Sequence, residues 1–280
     1  CGQIVAPGVA YIAEAIVQPA EIIKYFGEGS AAGDECDIAY NANFMALSWE
    51  AMATRSTELI KKSMKAVPVK PRNTTWINYA RCHDDIGLGF DDELVKHLGF
   101  DSLAHRLYIL QYFCDGFNGS AALGQRFMTE PETGKARISG SLAALCGLEK
   151  AVSDANEKEI NLAVKRINLQ HAIILSLGGL PMIYSGDDIA TPNNYSYLED
   201  NNKKYDNRWL HRSPMNWEVV YGLSSSTAAS TQVYNQLKKL IAIRKQTPAF
   251  ADNNDLEFLE CANSYLLVYK KTAISGETVY

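Results

Sequence analysis

Long uniform runs are missing from this sequence. No apolar stretch among its 280 residues reaches the roughly 18–20 that a membrane-spanning helix needs. The longest, Ala172 to Tyr184, is broken by Gly178–Gly179 and by Pro181. Cysteine patterning is also missing. Cys1, Cys36, Cys82, Cys114, Cys146 and Cys261 are scattered, with no C-x-x-C pair and none at zinc-ligand spacing with a histidine. Reduced thiols or isolated disulfides fit that pattern; a zinc or disulfide framework does not. Charge of one sign is not in excess: 27 basic against 32 acidic side chains leave a net charge of −5. There is thus no electrostatic reason to expect nucleic acid or an anionic membrane as partner. Gly87-Leu88-Gly89 lacks the third glycine of a dinucleotide loop, the P-loop pattern is absent, and no EF-hand spacing of oxygen ligands occurs. No cofactor or metal is therefore expected.

What is present is an ordinary globular composition, 47% hydrophobic and 21% charged, long enough to bury a core as a soluble protein. The chain begins at Cys1 without an initiator Met and ends at Tyr280 in what reads as a strand. It is expected to be a segment of a longer protein, and no signal in it addresses compartment or oligomeric state.

Strand-like and helical patterns alternate. Tyr11–Val17, closed by Pro19, Asp37–Tyr40, Thr75–Cys82 and Leu180–Ser185 read as strands, being short, β-branched or aromatic, and bounded by turn residues. Asn43–Val67 reads as one helix stopped by Pro68. The clearest helix is Asn156–Leu177, with Ile160, Val164, Ile167, His171, Ile174 and Leu175 on one face. Asn156 with Glu159 caps its start, and Gly178–Gly179 ends it. A last helix runs from about Thr227 to Gln246, and Leu256–Leu259 and Tyr265–Lys270 read as an antiparallel pair. Strands alternating with helices over long connections predict an α/β fold with a parallel sheet, and four such strands are half of a closed eight-stranded barrel.

The carboxylates stand out by position. Glu14 lies in the first strand between Ala13 and Ala15, Asp84 and Asp85 follow the third, and Asp187 and Asp188 follow the fourth. The C-terminal ends of parallel strands share one face, where a barrel builds its active site. Apolar neighbours should desolvate Glu14 and raise its pKa, which suits a general acid, while a second carboxylate that stays ionised stabilises positive charge. Together these describe cleavage of a glycosidic bond through an oxocarbenium-like transition state.

Five runs occur in order: AEAIVQP (Ala13–Pro19), WINYARCHDDIG (Trp76–Gly87), ARISGS (Ala136–Ser141), GGLPMIYSGDD (Gly178–Asp188) and DNRWLHR (Asp206–Arg212). In these the chain resembles the α-amylase superfamily of retaining glycosidases, most closely its amylosucrase branch, over nearly its whole length. The resemblance implies the C-terminal half of a (β/α)8 barrel, strands five to eight. Residues 1–85 would hold strands five to seven, and 86–155 an insertion between strand seven and its helix. Residues 156–250 would hold helix seven, strand eight and helix eight, and 251–280 the start of a C-terminal β domain. It implies Glu14 as general acid/base, Asp84 as transition-state stabiliser and His83 as ligand of a glucosyl hydroxyl. Asp85 and Arg137 would hold the fructosyl half of sucrose. Arg208 would close the glucose pocket by pairing with an acid upstream of Cys1, and Arg106 would touch the acceptor chain. The implied partners are sucrose and α-glucan acceptors.

The departures are specific. Ala13 replaces a serine before the acid, Leu88 stands where tryptophan often follows HDDIG, and Asp188 replaces glutamate. The family nucleophile, an aspartate in an R-x-D strand end, has no counterpart in the sequence. It is expected upstream, and the 280 residues alone are expected to be inactive and poorly stable. Other α-amylase-superfamily reactions, hydrolysis or trehalose-type isomerisation, use the same barrel. A non-catalytic carbohydrate-binding scaffold would have lost the carboxylates that are retained here.

Overall fold

The computed structural model describes residues 2–15, 17, 21–251 and 255–280. Its frame is a parallel sheet of β1 (Ile12–Ala13), β2 (Ile38–Tyr40), β3 (Thr75–Tyr79) and, after the hairpin of β4 (Gln125–Phe127) and β5 (Arg137–Ser139), β6 (Leu180–Met182). The order across the sheet is β1-β2-β3-β6, with Ile12 beside Ile38, Ala39 beside Trp76, and Tyr79 beside Met182. Parallel neighbours cannot be joined by tight turns, so helices fill each crossover. The α/β fold with a parallel sheet expected from the sequence is observed.

The strands are shorter than their sequence patterns. β3 stops at Tyr79 rather than Cys82, β6 at Met182 rather than Ser185, and β1 at Ala13, while Pro19 lies outside the described residues. β3 carries the buried Ile77, Asn78 and Tyr79 in succession, as a parallel strand covered on both faces must. Its one buried amide is satisfied: Asn78 Nδ2 donates to the Gly178 carbonyl at 2.9 Å, and Oδ1 accepts from Asn41 Nδ2 at 2.8 Å.

The long helix runs Glu157–Ser176, and the Asn156 side chain accepts from the Glu159 amide at 3.2 Å. Val164, Ile167, His171, Ile174 and Leu175 are buried on one face, with Ile160 partly buried beside them. Each aliphatic side chain so buried stabilises by about 1.5–3 kcal/mol. Gly179 turns the chain into β6 at φ 60°, where a Cβ would sit 2.4 Å from the Trp76 carbonyl oxygen of β3; only glycine allows this approach. Arg244, from the last helix (Ala229–Gln246), donates to the same Gly179 carbonyl at 2.7 Å.

The predicted 43–67 helix is two helices, Ala42–Thr54 and Glu58–Ala66. Arg55 between them is left-handed at φ 55°. The break is held from far away: the Thr57 amide donates to the Ser264 carbonyl at 2.8 Å, and its hydroxyl reaches Ser264 and Leu266 carbonyls at 3.0 and 2.9 Å. The segment after β3 adds the Ser102–Cys114 helix and the β4–β5 hairpin, and joins the main core through Trp49 edge-on to Phe113 at 5.4 Å. The C-terminal sheet is β7 (Leu256–Leu259), β8 (Val268–Thr272) and β9 (Thr278–Val279), all antiparallel. β8 starts three residues later than the sequence suggests because Asn263–Leu266 is a turn, closed by a 3.1 Å bond from the Leu266 amide to the Asn263 carbonyl. Among the described residues no helix is long and apolar enough to cross a membrane.

Candidate active site

The C-terminal ends of β1, β3 and β6 place Glu14, the His83–Asp85 run and Asp187 on one side of the sheet. Glu14 follows β1 instead of lying within it, and it is exposed. The desolvation expected from Ala13 and Ala15 is therefore not found. Its charge is felt by a pair of phenols that meet edge to face at 5.4 Å, Tyr40 and Tyr79. Both hydroxyls are held above the usual tyrosine range, first by burial and then by neighbours that include Glu14; Asp84 adds to the effect on Tyr79. Glu14 and Asp84 thus act on the same aromatic floor.

Asp84 is bound by Arg208, whose Nη1 donates at 2.7 Å. Arg208 also makes a two-point pair with Asp206 at 2.8 Å for each bond, and its guanidinium lies 4.9 Å from the centre of the Phe127 ring. Partial burial works to raise the Asp84 pKa, but the Arg208 bond and charge, with amide and side-chain bonds from Asp85, hold it below the usual carboxylate range. Asp85 goes the other way. Buried beside the Asp84 charge, its carboxyl is pushed up, only partly offset by Arg137 at 3.2 Å. Neighbouring carboxyls are thus shifted in opposite directions, Asp84 down and Asp85 up.

His83 is exposed, and its backbone is held firmly. Its carbonyl accepts from Arg212 Nε at 2.8 Å and from His211 Nε2 at 3.3 Å. His211 Nδ1 accepts from the Gly140 amide at 3.0 Å, so the ring proton resides on Nε2. Burial, reinforced by the Arg81 charge, pushes the His211 pKa down to about 3, which keeps this ring neutral. Beneath it Arg81 pairs with Asp187 at 2.8 Å, both buried, and lies 4.5 Å from the centre of the Tyr184 ring. Burial raises Asp187 to about 6 in spite of Arg81. Asp187 therefore supports the site from below, while Asp188 accepts from the Gly186 amide at 3.1 Å.

Arg106 and Arg137 line a common cavity of about 220 Å³ together with Leu88. Arg137 is half exposed, whereas Arg106 donates to the carbonyls of Leu88, Phe90 and Ser102 and pairs with Asp92 at 2.6 Å. The structure thus gathers Glu14, His83, Asp84 and Arg208 around one face, links Asp85 to Arg137, and uses the Arg106 guanidinium to tie its own loop. Arg81, Asp206, His211 and Arg212 were not singled out from the sequence. Their signal was a charged or imidazole residue inside an otherwise strand-like or aromatic motif.

A second buried histidine contributes to acid stability. His171 has both ring nitrogens buried without a hydrogen-bond partner, and burial lowers its pKa to about 4 from 6.5. The unfolded chain binds the proton more tightly, so this contribution is full above pH 6.5 and is lost as pH falls toward 4, about 3 kcal/mol in all. His171→Leu is expected to flatten urea-unfolding stability by that amount between pH 7 and 4. An unchanged acid slope would show that other groups govern it.

No family model matches the chain. It is 24% identical over 279 residues to the glucosylglycerate phosphorylase of Escherichia coli (strain K12), covering 97% of this chain and 45% of that protein. It is 24% identical over 266 residues to the trehalose synthase/amylase TreS of Mycolicibacterium smegmatis, covering 88% and 38%. Among solved structures, the sucrose 6F-phosphate phosphorylase of Thermoanaerobacter thermosaccharolyticum superimposes with a TM-score of 0.59 at 15% identity, covering 99% of this chain and 53% of that one. These likenesses agree with the resemblance to the α-amylase superfamily carried by the five sequence runs. The chain spans about half the length, or less, of these three proteins. None of these three is an amylosucrase.

Proposed function

We propose that this α-amylase-type chain is the strand-five-to-eight half of a barrel enzyme that transfers α-glucosyl units from sucrose by double displacement. The observation that carries this reading is Asp84, kept ionised by Arg208 on the face where β1 delivers an exposed Glu14. Glu14 protonates the leaving fructosyl oxygen and later activates the acceptor. Asp84 stabilises the oxocarbenium-like charge, and its low pKa keeps it anionic while this happens. His83 presents its imidazole to a glucosyl hydroxyl from a backbone clamped by Arg212 and His211. Asp85, paired with Arg137, holds the fructosyl half. Arg208, tied to Asp206 and Asp84, closes the glucose pocket. Arg106 fixes the loop that borders the acceptor side.

Double displacement needs a nucleophile about 5–5.5 Å from the acid, and the R-x-D strand end that would supply it does not occur in these 280 residues. The proposal therefore assigns it to chain upstream of Cys1. The second reading, trehalose-type isomerisation, is favoured by the likeness to the trehalose synthase/amylase.

Products separate the two. A protein carrying this chain with its upstream sequence is expected to release fructose from sucrose while building a product with a retained α-glucosyl linkage; the 280 residues alone should release none. Conversion of one disaccharide into another without net fructose release would favour isomerisation. An upstream sequence without an R-x-D strand end would remove the double displacement altogether.

A further inference from the structure

The cavity of about 220 Å³ that Arg106 and Arg137 share is lined by Lys135 as well, and by the Gly87–Gly89 stretch that follows Asp85. It is smaller than a pocket that encloses a whole ligand, so it suits a substituent reaching in from a larger molecule. Three of its described lining residues are basic, Arg106, Lys135 and Arg137, against one acid, Glu130.

These groups are not equally free. The Arg106 guanidinium is spent on the Leu88, Phe90 and Ser102 carbonyls and on Asp92. Arg137 gives only Nη1 to the buried Asp85, and its side chain stays 45% exposed. Its Nε and Nη2 donate to no acceptor among the described residues. Lys135 is half-buried, and its ammonium has no hydrogen bond or ion pair among those residues. Glu130 belongs to its own turn, where it accepts from the Thr133 hydroxyl at 2.7 Å and pairs with no cation. The amides of Gly87, Leu88 and Gly89 also donate to no acceptor among the described residues.

What is unused here is a set of donors, two of them on cations. An apolar substituent would leave the Lys135 ammonium half-desolvated and unpaired, and a cation would meet two like charges. An oxyanion takes several donors at once through charge-assisted bonds. A phosphate monoester, at close to two negative charges near pH 7, also matches the number of cations with donors to spare.

We propose that this cavity takes the phosphate monoester of a sugar whose ring lies against Asp85 and Arg137, with Lys135 and the free edge of Arg137 as its cations. The placement of the ring rests on the reading given under Proposed function; the preference for an anion rests on the cavity. Lys135 then separates phosphorylated from plain sugars on the leaving-group and acceptor side.

The test is one of binding, so that it does not depend on turnover. Fructose 6-phosphate, fructose and inorganic phosphate are titrated by calorimetry into a protein carrying this chain with its upstream sequence. Fructose 6-phosphate should bind at least about tenfold more tightly than either of the others, the usual scale for bonds to a charged group. Lys135→Met should remove most of that preference and leave fructose binding unchanged, whereas Lys135→Arg should keep it. If Lys135→Met does not fold, the three probes and Lys135→Arg decide. Equal affinity for fructose 6-phosphate and fructose, inorganic phosphate binding as tightly as the ester, or a preference that survives Lys135→Met would overturn the proposal. Sucrose turnover without the preference would sink this inference alone. The preference without sucrose turnover would sink the proposed reaction and leave the cavity's assignment standing.

Discussion

Glu14→Gln is expected to cut sucrose turnover by the upstream-extended protein about 10²–10⁴-fold, the usual contribution of a positioned general acid. Gln keeps the shape and hydrogen-bonding reach of the side chain but has no proton to give. The loss should depend on the leaving group. With α-glucosyl fluoride, whose anion departs with far less need of protonation, the glucosylation step should be much less impaired than with sucrose. That contrast separates an acid from a residue that merely shapes the pocket. Turnover of sucrose unchanged by the substitution would remove Glu14 from the mechanism, and with it the reading of the β1 end as the acid position.

Arg81→Met should lower folding stability by about 3–5 kcal/mol at neutral pH, because it leaves a buried carboxylate without its cation. Asp187 is already raised to about 6 with Arg81 beside it, burial outweighing the attraction. A carboxyl whose folded pKa exceeds its unfolded value contributes stability that is full below the unfolded pKa and is lost as pH rises through the folded one. The variant should therefore recover as pH falls from about 7 toward 4, opposite in sign to the His171 effect. Arg81→Met with Asp187→Leu should regain most of the loss at pH 7, since no charge then remains buried. Urea unfolding across that range measures both. A loss below about 1 kcal/mol, or no gain in the double variant, would show that water already solvates the pair.

The sequence made some of this legible and concealed the rest for identifiable reasons. Local signals were reliable where the chain acts locally. The Asn156 cap and the periodic face through Ile167 and Ile174 place the long helix to within a residue of its observed ends, and the four parallel strands fall inside their predicted segments. Glu14 is the instructive failure. Apolar neighbours in sequence suggested burial, but β1 ends at Ala13 and the next side chain turns out to solvent. Arg208 shows a second kind of gap: its pairs with Asp206, two residues away, and with Asp84 were not read from the motif. The break at Arg55 depends on Ser264 and Leu266, which no window of sequence around residue 55 contains. The opposite shifts of Asp84 and Asp85 come from burial, their mutual charge and two arginines, which spacing alone does not reveal.

The Thr57 contact with Ser264 also bears on how the chain is made. It joins residues 207 positions apart, so it closes a very long loop, and loops of that length form slowly. A ribosome delivers Thr57 long before Ser264. The 42–54 and 58–66 helices must therefore wait, through most of synthesis, for the partner that holds the angle between them. The wall of the cavity where these two helices meet the 102–114 helix, to which Ser264 also contributes, is accordingly among the last parts of the molecule to be completed.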